Sequence, residues 1–123
     1  GETKAMHAER IILLGDNRTE EVSISTNDFL FVESEGNYVS LCYSEKEKIK
    51  KRLLRATLKN MVVQLKQYPT FFRCHRAYIV NLSRITDISG NAQGYKLKLA
   101  GSESVIPVSR GYLEAFNQAI IPN

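Results

Sequence analysis

The sequence predicts a mainly β domain of antiparallel sheets, with one helix in the middle of the chain and one short helix near its C-terminus. Short segments rich in β-branched and aromatic residues recur between turn residues, as in antiparallel β proteins. The apolar spacing changes to that of an amphipathic helix after residue 57. With 123 residues, the chain has room for one compact domain rather than two.

The strand segments are bounded by turn residues such as Gly15-Asp16-Asn17, Gly90-Asn91 and Gly101-Ser102. In the segment 38–43, Val39, Leu41 and Tyr43 alternate with more polar positions, which is the period of a strand. We expect strands over 11–14, 22–24, 29–32, 38–43, 48–54, 85–88, 95–99 and 105–108, and β-branched and aromatic residues return over 71–81.

The central helix is predicted from one apolar stripe, preceded by Thr57 as the N-cap and followed by Pro69, which cannot continue a helix. The stripe consists of Leu58, Met61, Val62 and Leu65.

The C-terminal helix is predicted from Ser109, which can cap it. We expect Leu113, Phe116 and Ile120 to face inward from this helix.

Positive charge is concentrated in the middle of the chain. Residues 41–84 carry eleven bases and two acids, a net charge of +9, whereas residues 1–40 carry a net charge of −5. Gathered on one side, such charge attracts polyanions through counterion release. The alternative is that the lysines only keep a solvated sheet edge from aggregating. Charge alone does not separate these two interpretations.

Several classes of protein are excluded or disfavoured by what the sequence contains. The apolar runs reach four residues, whereas a membrane-spanning helix needs about twenty. The two cysteines, Cys42 and Cys74, are too few for a disulfide framework or a four-cysteine zinc site. We expect them to be reduced, partly buried thiols in a cytoplasmic protein.

Catalytic chemistry is also disfavoured, and we expect no cofactor and no metal. With only His7 and His75, no spacing offers three converging zinc ligands. No glycine-rich phosphate-binding motif precedes a helix. The carboxylates of Asp28, Glu33 and Glu35 could hold Mg²⁺ in a nuclease, but acids beside a turn are usually solvated.

Four segments, taken together, carry a family resemblance. They are FLFVESEGNYV at 29–39, RATLK at 55–59, FFRCHRAYIVN at 71–81 and IPVSR at 106–110. In this order and at these intervals, they resemble the LytTR (LytR/AgrA-type) DNA-binding domain of bacterial response regulators. The resemblance extends over about residues 11–120. It implies a fold of antiparallel sheets with few helices, in agreement with the pattern above.

The resemblance further implies sequence-specific binding of double-stranded DNA, with loops that enter successive major grooves and read short direct repeats. Carried over by position, it gives base contacts to Asn37, Arg76 and Arg110. Arginine can donate two bonds to guanine, and asparagine can pair with adenine. The expected phosphate contacts are Tyr38, Lys46, Lys48, Lys50, Lys51, Arg52, Arg73 and His75.

Some of these residues have alternative structural roles. His75 could be a hydrogen-bonded structural histidine, and Asn81 could satisfy backbone groups at a turn. Tyr78 and Val80 are expected in the core. Arg110 could form a surface ion pair. The alignment of the first loop could shift by one or two positions, which would place Tyr38 or Glu35 at the contact attributed to Asn37.

The expected organisation is a linker or expression remnant over residues 1–10 and the DNA-binding domain over 11–123. Because the chain shows no βα alternation of a receiver, we expect that a receiver or other sensory domain precedes it and that a sensor kinase acts upstream. Two alternatives stay open. One is an adaptor that binds an acidic protein partner. The other is single-stranded nucleic-acid binding by stacking on Tyr38, Tyr43 and Tyr78.

Overall fold

The structure, a computed structural model, describes residues 9–121. This part of the chain forms ten strands and two α-helices, and the prediction of a mainly β fold is confirmed. The strands are β1 (Arg10–Leu14), β2 (Glu21–Ser25), β3 (Phe29–Glu35), β4 (Tyr38–Glu45), β5 (Lys48–Arg55), β6 (Phe71–His75), β7 (Tyr78–Asn81), β8 (Ile85–Asn91), β9 (Gly94–Leu99) and β10 (Val105–Ser109). The helices are α1 (Leu58–Leu65) and α2 (Leu113–Ile120), and the 3₁₀ turns are Leu82–Arg84 and Arg110–Tyr112.

The strands form three sheets in which every pairing is antiparallel. The first is the β1–β2 hairpin, the second has five strands in the order β5-β4-β3-β7-β6, and the third has three strands in the order β10-β9-β8. Strand β5 is therefore one edge of the five-stranded sheet and β6 is the other.

The central strands of the five-stranded sheet are buried on both faces because a separate apolar cluster covers each face. On one face, Val39 and Leu41 pack with the β1–β2 hairpin and α1. On the other, Cys42 packs with the three-stranded sheet and Phe116 of α2. A bulge in β3 between Phe29 and Phe31 interrupts the alternation of its side chains. Strands β3 and β4 thus belong to both cores at once.

Helix α1 begins as predicted at its N-cap. The Thr57 hydroxyl accepts a hydrogen bond from the Asn60 backbone N–H at 3.0 Å, which satisfies one of the free donors of the first turn. Leu58, Met61 and Leu65 are buried as expected. Val62, the fourth residue of the predicted stripe, is 37% exposed and lies at its edge.

Helix α2 begins later than predicted. Ser109 precedes a 3₁₀ turn rather than the helix, and its side chain makes no capping hydrogen bond. The helix itself starts at Leu113. Phe116 is fully buried as expected, whereas Ile120 is 36% exposed, so its predicted inward position was wrong.

The β8–β9 hairpin extends beyond the turn predicted for it. Strand β8 runs to Asn91, and the turn is Ala92-Gln93 rather than Gly90-Asn91. Gly90 lies within the strand at φ 119°, where a Cβ would meet the carbonyl oxygen of Gly94. Gly90 therefore permits a close approach of β8 and β9. In the sequence, a glycine with this role looks the same as a glycine in a turn.

The predicted linker over residues 1–10 lies outside the described residues except for its end, and Arg10 is already the first residue of β1. Across residues 9–121, no helix combines the length and apolar character needed to cross a bilayer.

Candidate nucleic-acid interface

Asn37 lies in the tight turn between β3 and β4. The pairing of Glu35 with Tyr38 leaves two residues in this turn, Gly36 and Asn37. Gly36 adopts φ 65°, as glycine does at the first position of a type II′ hairpin turn. A Cβ added at Gly36 would meet no atom within 4 Å, so the turn projects into open space. The sequence therefore folds locally into a narrow, exposed loop that carries Asn37 at its tip.

Arg76 lies in the turn between β6 and β7, at the same end of the five-stranded sheet. Glu33 of β3 pairs with Tyr78 of β7, and one residue further the Ser34 N–H donates to the carbonyl oxygen of Ala77 at 2.8 Å. The strand that ends in the Asn37 turn thus runs beside the strand that begins at the Arg76 turn. The structure brings these two exposed side chains to one edge of the molecule.

Arg110 follows β10 of the other sheet. It is exposed and opens the 3₁₀ turn, which contacts β6. The Arg110 side chain lines a surface hollow with Gly90 and Ala92 of the β8–β9 hairpin and Glu114 of α2. The structure therefore gives Arg110 a scaffold different from that of Asn37 and Arg76.

The predicted phosphate-contacting residues of β5 follow the opposite edge of the same sheet. Every residue of β5 except Leu54 is exposed. Since side chains alternate along a strand, basic groups point to both faces of this edge. Lys48, Lys50 and Arg52 share the face of Leu54, and Lys51 lies on the other face opposite Cys42. Only Lys50 forms an ion pair within the described residues, to Glu45 at 3.3 Å.

These lysines lie at different distances from the Asn37 turn. Lys48 pairs with Glu45 at the far end of β4, and Lys46 lies in the turn beyond it. Seven residue steps along β4 separate Tyr38 from Glu45, which corresponds to about 24 Å. Arg52 pairs with Leu41, only about 10 Å from the turn. The basic strand thus extends away from the turn rather than surrounding it.

Arg55 is a further basic residue at the end of β5 that lies beside the Asn37 turn. The sequence prediction did not include it among the DNA contacts. It is the last residue of β5, it pairs with Tyr38, and its guanidinium carbon lies 5.8 Å from the centre of the Tyr38 ring. Such stacking holds an arginine in place beside a tyrosine. The sequence signal was its place in the RATLK segment, which was assigned only to the start of the helix.

Arg73 and His75, both expected at phosphates, are half-buried and bond to the backbone of their own turn. The Arg73 guanidinium donates to the carbonyl oxygens of Arg76 at 2.8 Å and His75 at 3.4 Å. His75 Nδ1 accepts from the Ala77 N–H at 3.0 Å. The structure thus shows the hydrogen-bonded alternative for His75, and a phosphate contact by either residue stays a prediction.

Asn81 has the structural role that its residue type allowed. It is fully buried at the end of β7, donates to the carbonyl oxygens of Thr26 in the loop before β3 and of Phe29 at the start of β3, and accepts from the Ser83 N–H of the following 3₁₀ turn. Val80 is buried and Tyr78 is half-buried, in agreement with their expected places in the core.

The stacking platform required for single-stranded nucleic acid is not formed by the three tyrosines. Tyr43 packs against the cluster on one face of the five-stranded sheet, and Tyr78 packs against the cluster on the other face. Only Tyr38 is exposed. Consecutive bases cannot stack on side chains that lie on opposite faces of a sheet.

Three titratable groups of the five-stranded sheet have raised pKa values, which favour their neutral forms. Burial raises the pKa of the Cys74 thiol to about 12, and burial also raises the pKa of Cys42. Burial is the main cause that raises the pKa of Tyr78. The hydrogen bond that the Tyr78 hydroxyl donates to Glu33 Oε2, at 3.1 Å, raises it further. Thiols of this kind are poor nucleophiles. Among residues 9–121, no three His, Cys, Asp or Glu side chains are grouped closely enough to hold a metal ion.

A protein-family model matches most of this chain. The model, described as the LytTr DNA-binding domain, matches residues 20–121. The chain belongs to the LytTR family. The resemblance found in the sequence is thereby confirmed.

This LytTR chain is also similar to individual proteins. It is 28% identical over 115 residues to an uncharacterized response regulatory protein of Vibrio cholerae serotype O1. The match covers 93% of this chain and 43% of that protein, so the chain spans less than half the length of this relative. Among solved structures, it is similar to a LytTr DNA-binding domain of a Bacillus cereus protein described as a methyl-accepting/DNA response regulator. The TM-score is 0.66 at 18% identity, and the match covers 91% of this chain and 98% of that one. This second likeness shows the fold.

Proposed function

We propose that this LytTR domain binds double-stranded DNA sequence-specifically and is the output domain of a bacterial transcriptional response regulator. The observation that carries the proposal is the meeting of two exposed hairpin turns, with Asn37 and Arg76, at one end of the five-stranded sheet. A turn of two residues is narrow enough for a major groove about 12 Å wide. Both turns belong to strands packed in the core, which limits the motion of their tips.

The base contacts in this proposal are made by Asn37, Arg76 and Arg110. Arg76 and Arg110 each donate two parallel bonds to a guanine, and Asn37 pairs with an adenine. Glu35 lies beside the Asn37 turn, where its carboxylate would accept only from a cytosine amino group or repel the phosphates. The loops of one domain read one short repeat, and a second copy reads the next repeat along the duplex.

The phosphate contacts come from the exposed basic groups. Arg52 and Arg55 lie near the Asn37 end and contact the backbone beside the groove that is read. Lys46 and Lys48, about 24 Å away, reach phosphates roughly seven base steps further along the duplex. Tyr38, Lys50 and Lys51 complete the proposed set, from which Arg73 and His75 are left out because their side chains bond to the backbone of their own turn. These contacts fix the register of the domain without reading sequence.

The domain represents only part of the regulator in this proposal. The chain spans 43% of the length of its Vibrio cholerae relative, which leaves room for a second domain in a protein of that length. We place a receiver or other sensory domain before the described residues, controlled by a sensor kinase, in a protein that acts in the cytoplasm.

The first experiment selects preferred duplexes from a random pool and titrates the best one by fluorescence anisotropy at several salt concentrations. We expect two domains on a duplex with two repeats about one helical turn apart. If six phosphates are contacted, the slope of log K against log salt is about −5. Selection of no duplex at low salt, or displacement of DNA by an acidic peptide at stoichiometric amounts, would contradict the proposal.

The second experiment separates the two kinds of contact with matched substitutions. Arg110→Gln and Arg52→Gln remove the same charge from exposed positions. Arg110→Gln is expected to weaken binding to the selected duplex about tenfold and to abolish the preference at one base pair. Arg52→Gln is expected to weaken every sequence alike and to reduce the salt slope by about one. Identical behaviour of the two variants would refute the division of roles.

A further inference from the structure

The turn that carries Arg76 lacks the backbone geometry that usually stabilises a two-residue hairpin loop. His75 pairs with Tyr78, so the loop consists of Arg76 and Ala77. Favoured loops of this length have positive φ at their first residue or at both. Neither Arg76 nor Ala77 has a positive φ, whereas Gly36 does in the neighbouring turn. A bulge between Arg73 and His75 also interrupts the ladder just before the loop.

Two side chains of β6 form hydrogen bonds with the backbone of this loop. The Arg73 guanidinium spans the loop, with one N–H 2.8 Å from the Arg76 carbonyl oxygen and another 3.4 Å from that of His75. The imidazole of His75 accepts the Ala77 N–H two residues ahead at 3.0 Å. The latter contact has the spacing of an Asx turn, in which Asn or Asp plays the same part.

The His75 ring is itself held in position. It lies edge-on to Tyr78 with ring centres 5.5 Å apart, and the Tyr78 hydroxyl is fixed by its bond to Glu33. The Ser34 N–H holds the other side of the loop through the Ala77 carbonyl oxygen. The Arg76 backbone is thus connected on one side to β3, and on the other to the guanidinium and imidazole of β6.

We infer that Arg73 and His75 are positioning residues that set the direction of Arg76 and thereby its selectivity for one base pair. This inference rests on the proposed function. A bidentate arginine contact needs both N–H groups aligned in the base plane, so a tilt of the loop lowers selectivity before it lowers general attraction to DNA. The role differs from a phosphate contact, which would add affinity for any sequence.

The test measures selectivity at each base pair of the selected duplex, defined as the ratio of affinities for the preferred and substituted pair. Arg76→Ala identifies the pair that Arg76 reads. Arg73→Lys keeps the charge but loses the planar fork. Arg73→Lys is expected to lower selectivity at that pair about fivefold. The salt slope and the selectivity at the pair read by Arg110 are expected to stay unchanged. In the Arg76→Ala background, Arg73→Lys has no further effect.

His75 is tested by a conservative pair of substitutions. His75→Asn retains an acceptor for the Ala77 N–H and is expected to keep most of the selectivity, whereas His75→Leu loses it. Hydrogen exchange of the Ala77 amide, measured by NMR, is expected to be faster in His75→Leu than in His75→Asn. Arg10→Lys is the matched control, since Arg10 also bonds a backbone carbonyl, that of Ser23, on the distant β1–β2 hairpin. It leaves selectivity unchanged.

The outcomes that overturn the inference are distinct from those that overturn DNA reading itself. If Arg73→Lys and Arg76→Ala lower affinity additively and for all sequences, or if Arg73→Ala lowers the salt slope by about one, Arg73 contacts phosphate and the inference fails. If Arg76→Ala changes selectivity at no base pair, the proposed function of Arg76 fails, and the inference fails with it. Unchanged exchange of the Ala77 amide in His75→Leu excludes a role for His75 in the turn.

Discussion

Replacement of Asn81 by alanine is expected to destabilise the domain by about 3 kcal/mol. The side-chain amide donates to the carbonyl oxygens of Thr26 at 3.1 Å and Phe29 at 2.8 Å. Its oxygen accepts from the N–H of Ser83 at 3.1 Å and from the Ser83 hydroxyl at 2.8 Å. Each bond contributes about 1 kcal/mol, and some of the buried groups left behind gain no water in exchange. Asn81→Ala therefore loosens the end of β7 from the loop before β3.

The measurement is urea unfolding followed by tyrosine fluorescence, which suits a chain with six tyrosines and no tryptophan. Asn91→Ala is the matched control, because that exposed side chain accepts one hydrogen bond, from the Gln93 N–H. We expect a loss of about 0.5 kcal/mol for the control. If the two variants differ by less than 1 kcal/mol, the four hydrogen bonds of Asn81 do not carry the stability assigned to them.

Three other predictions concern stability. Because burial raises the pKa of Cys74 from 9.0 to about 12, only the unfolded state releases this proton above about pH 9, so stability falls as the pH rises. At pH 10 the decrease is about 1.4 kcal/mol, and Cys74→Ala removes that part of it; equal slopes of urea stability against pH in the two proteins would contradict this. Gly90→Ala places a Cβ 2.9 Å from a neighbouring Cα at φ 119° and is expected to cost more than 2 kcal/mol, against about 1 kcal/mol for Gly36→Ala in open space; equal urea midpoints would refute the difference. Lys46 and Glu47 both have positive φ, so an Asn-Gly pair there is expected to stabilise the domain by about 1 kcal/mol, and a lower thermal midpoint would contradict this.

The fold was largely predictable because its signals are local. The two-residue period of β4 and the N-cap and apolar stripe of α1 each lie within one short stretch of sequence. The structure contains both elements. The division into three sheets was not predictable, because it depends on pairings such as Phe31 with Val80, which are far apart in sequence. The position of the β8–β9 turn was mispredicted for the same reason. Glycine occurs both in turns and where two strands approach closely, and only the strand pairing shows that Gly90 has the second role.

The candidate site was predictable in its residues but not in its geometry. Asn37 and Arg76 came from the family resemblance, and only the pairing of β3 with β7 shows that their turns are neighbours. The hydrogen bonds of Arg73 were not predictable, because they depend on the bulge and the φ angles of the loop that follows. Arg55 was missed because its stacking on Tyr38 requires the register of β4 against β5.

The exposed edge of β5 has a consequence for how separate molecules meet. Its unpaired backbone groups are a template on which a strand from another molecule could extend the sheet, the first step toward fibrils. The charged lysine and arginine side chains of β5 point to both faces of this edge. Two identical molecules that approach through their β5 edges therefore repel each other. Neighbouring molecules can therefore crowd together without polymerising, and a polyanion lying between them would remove the repulsion.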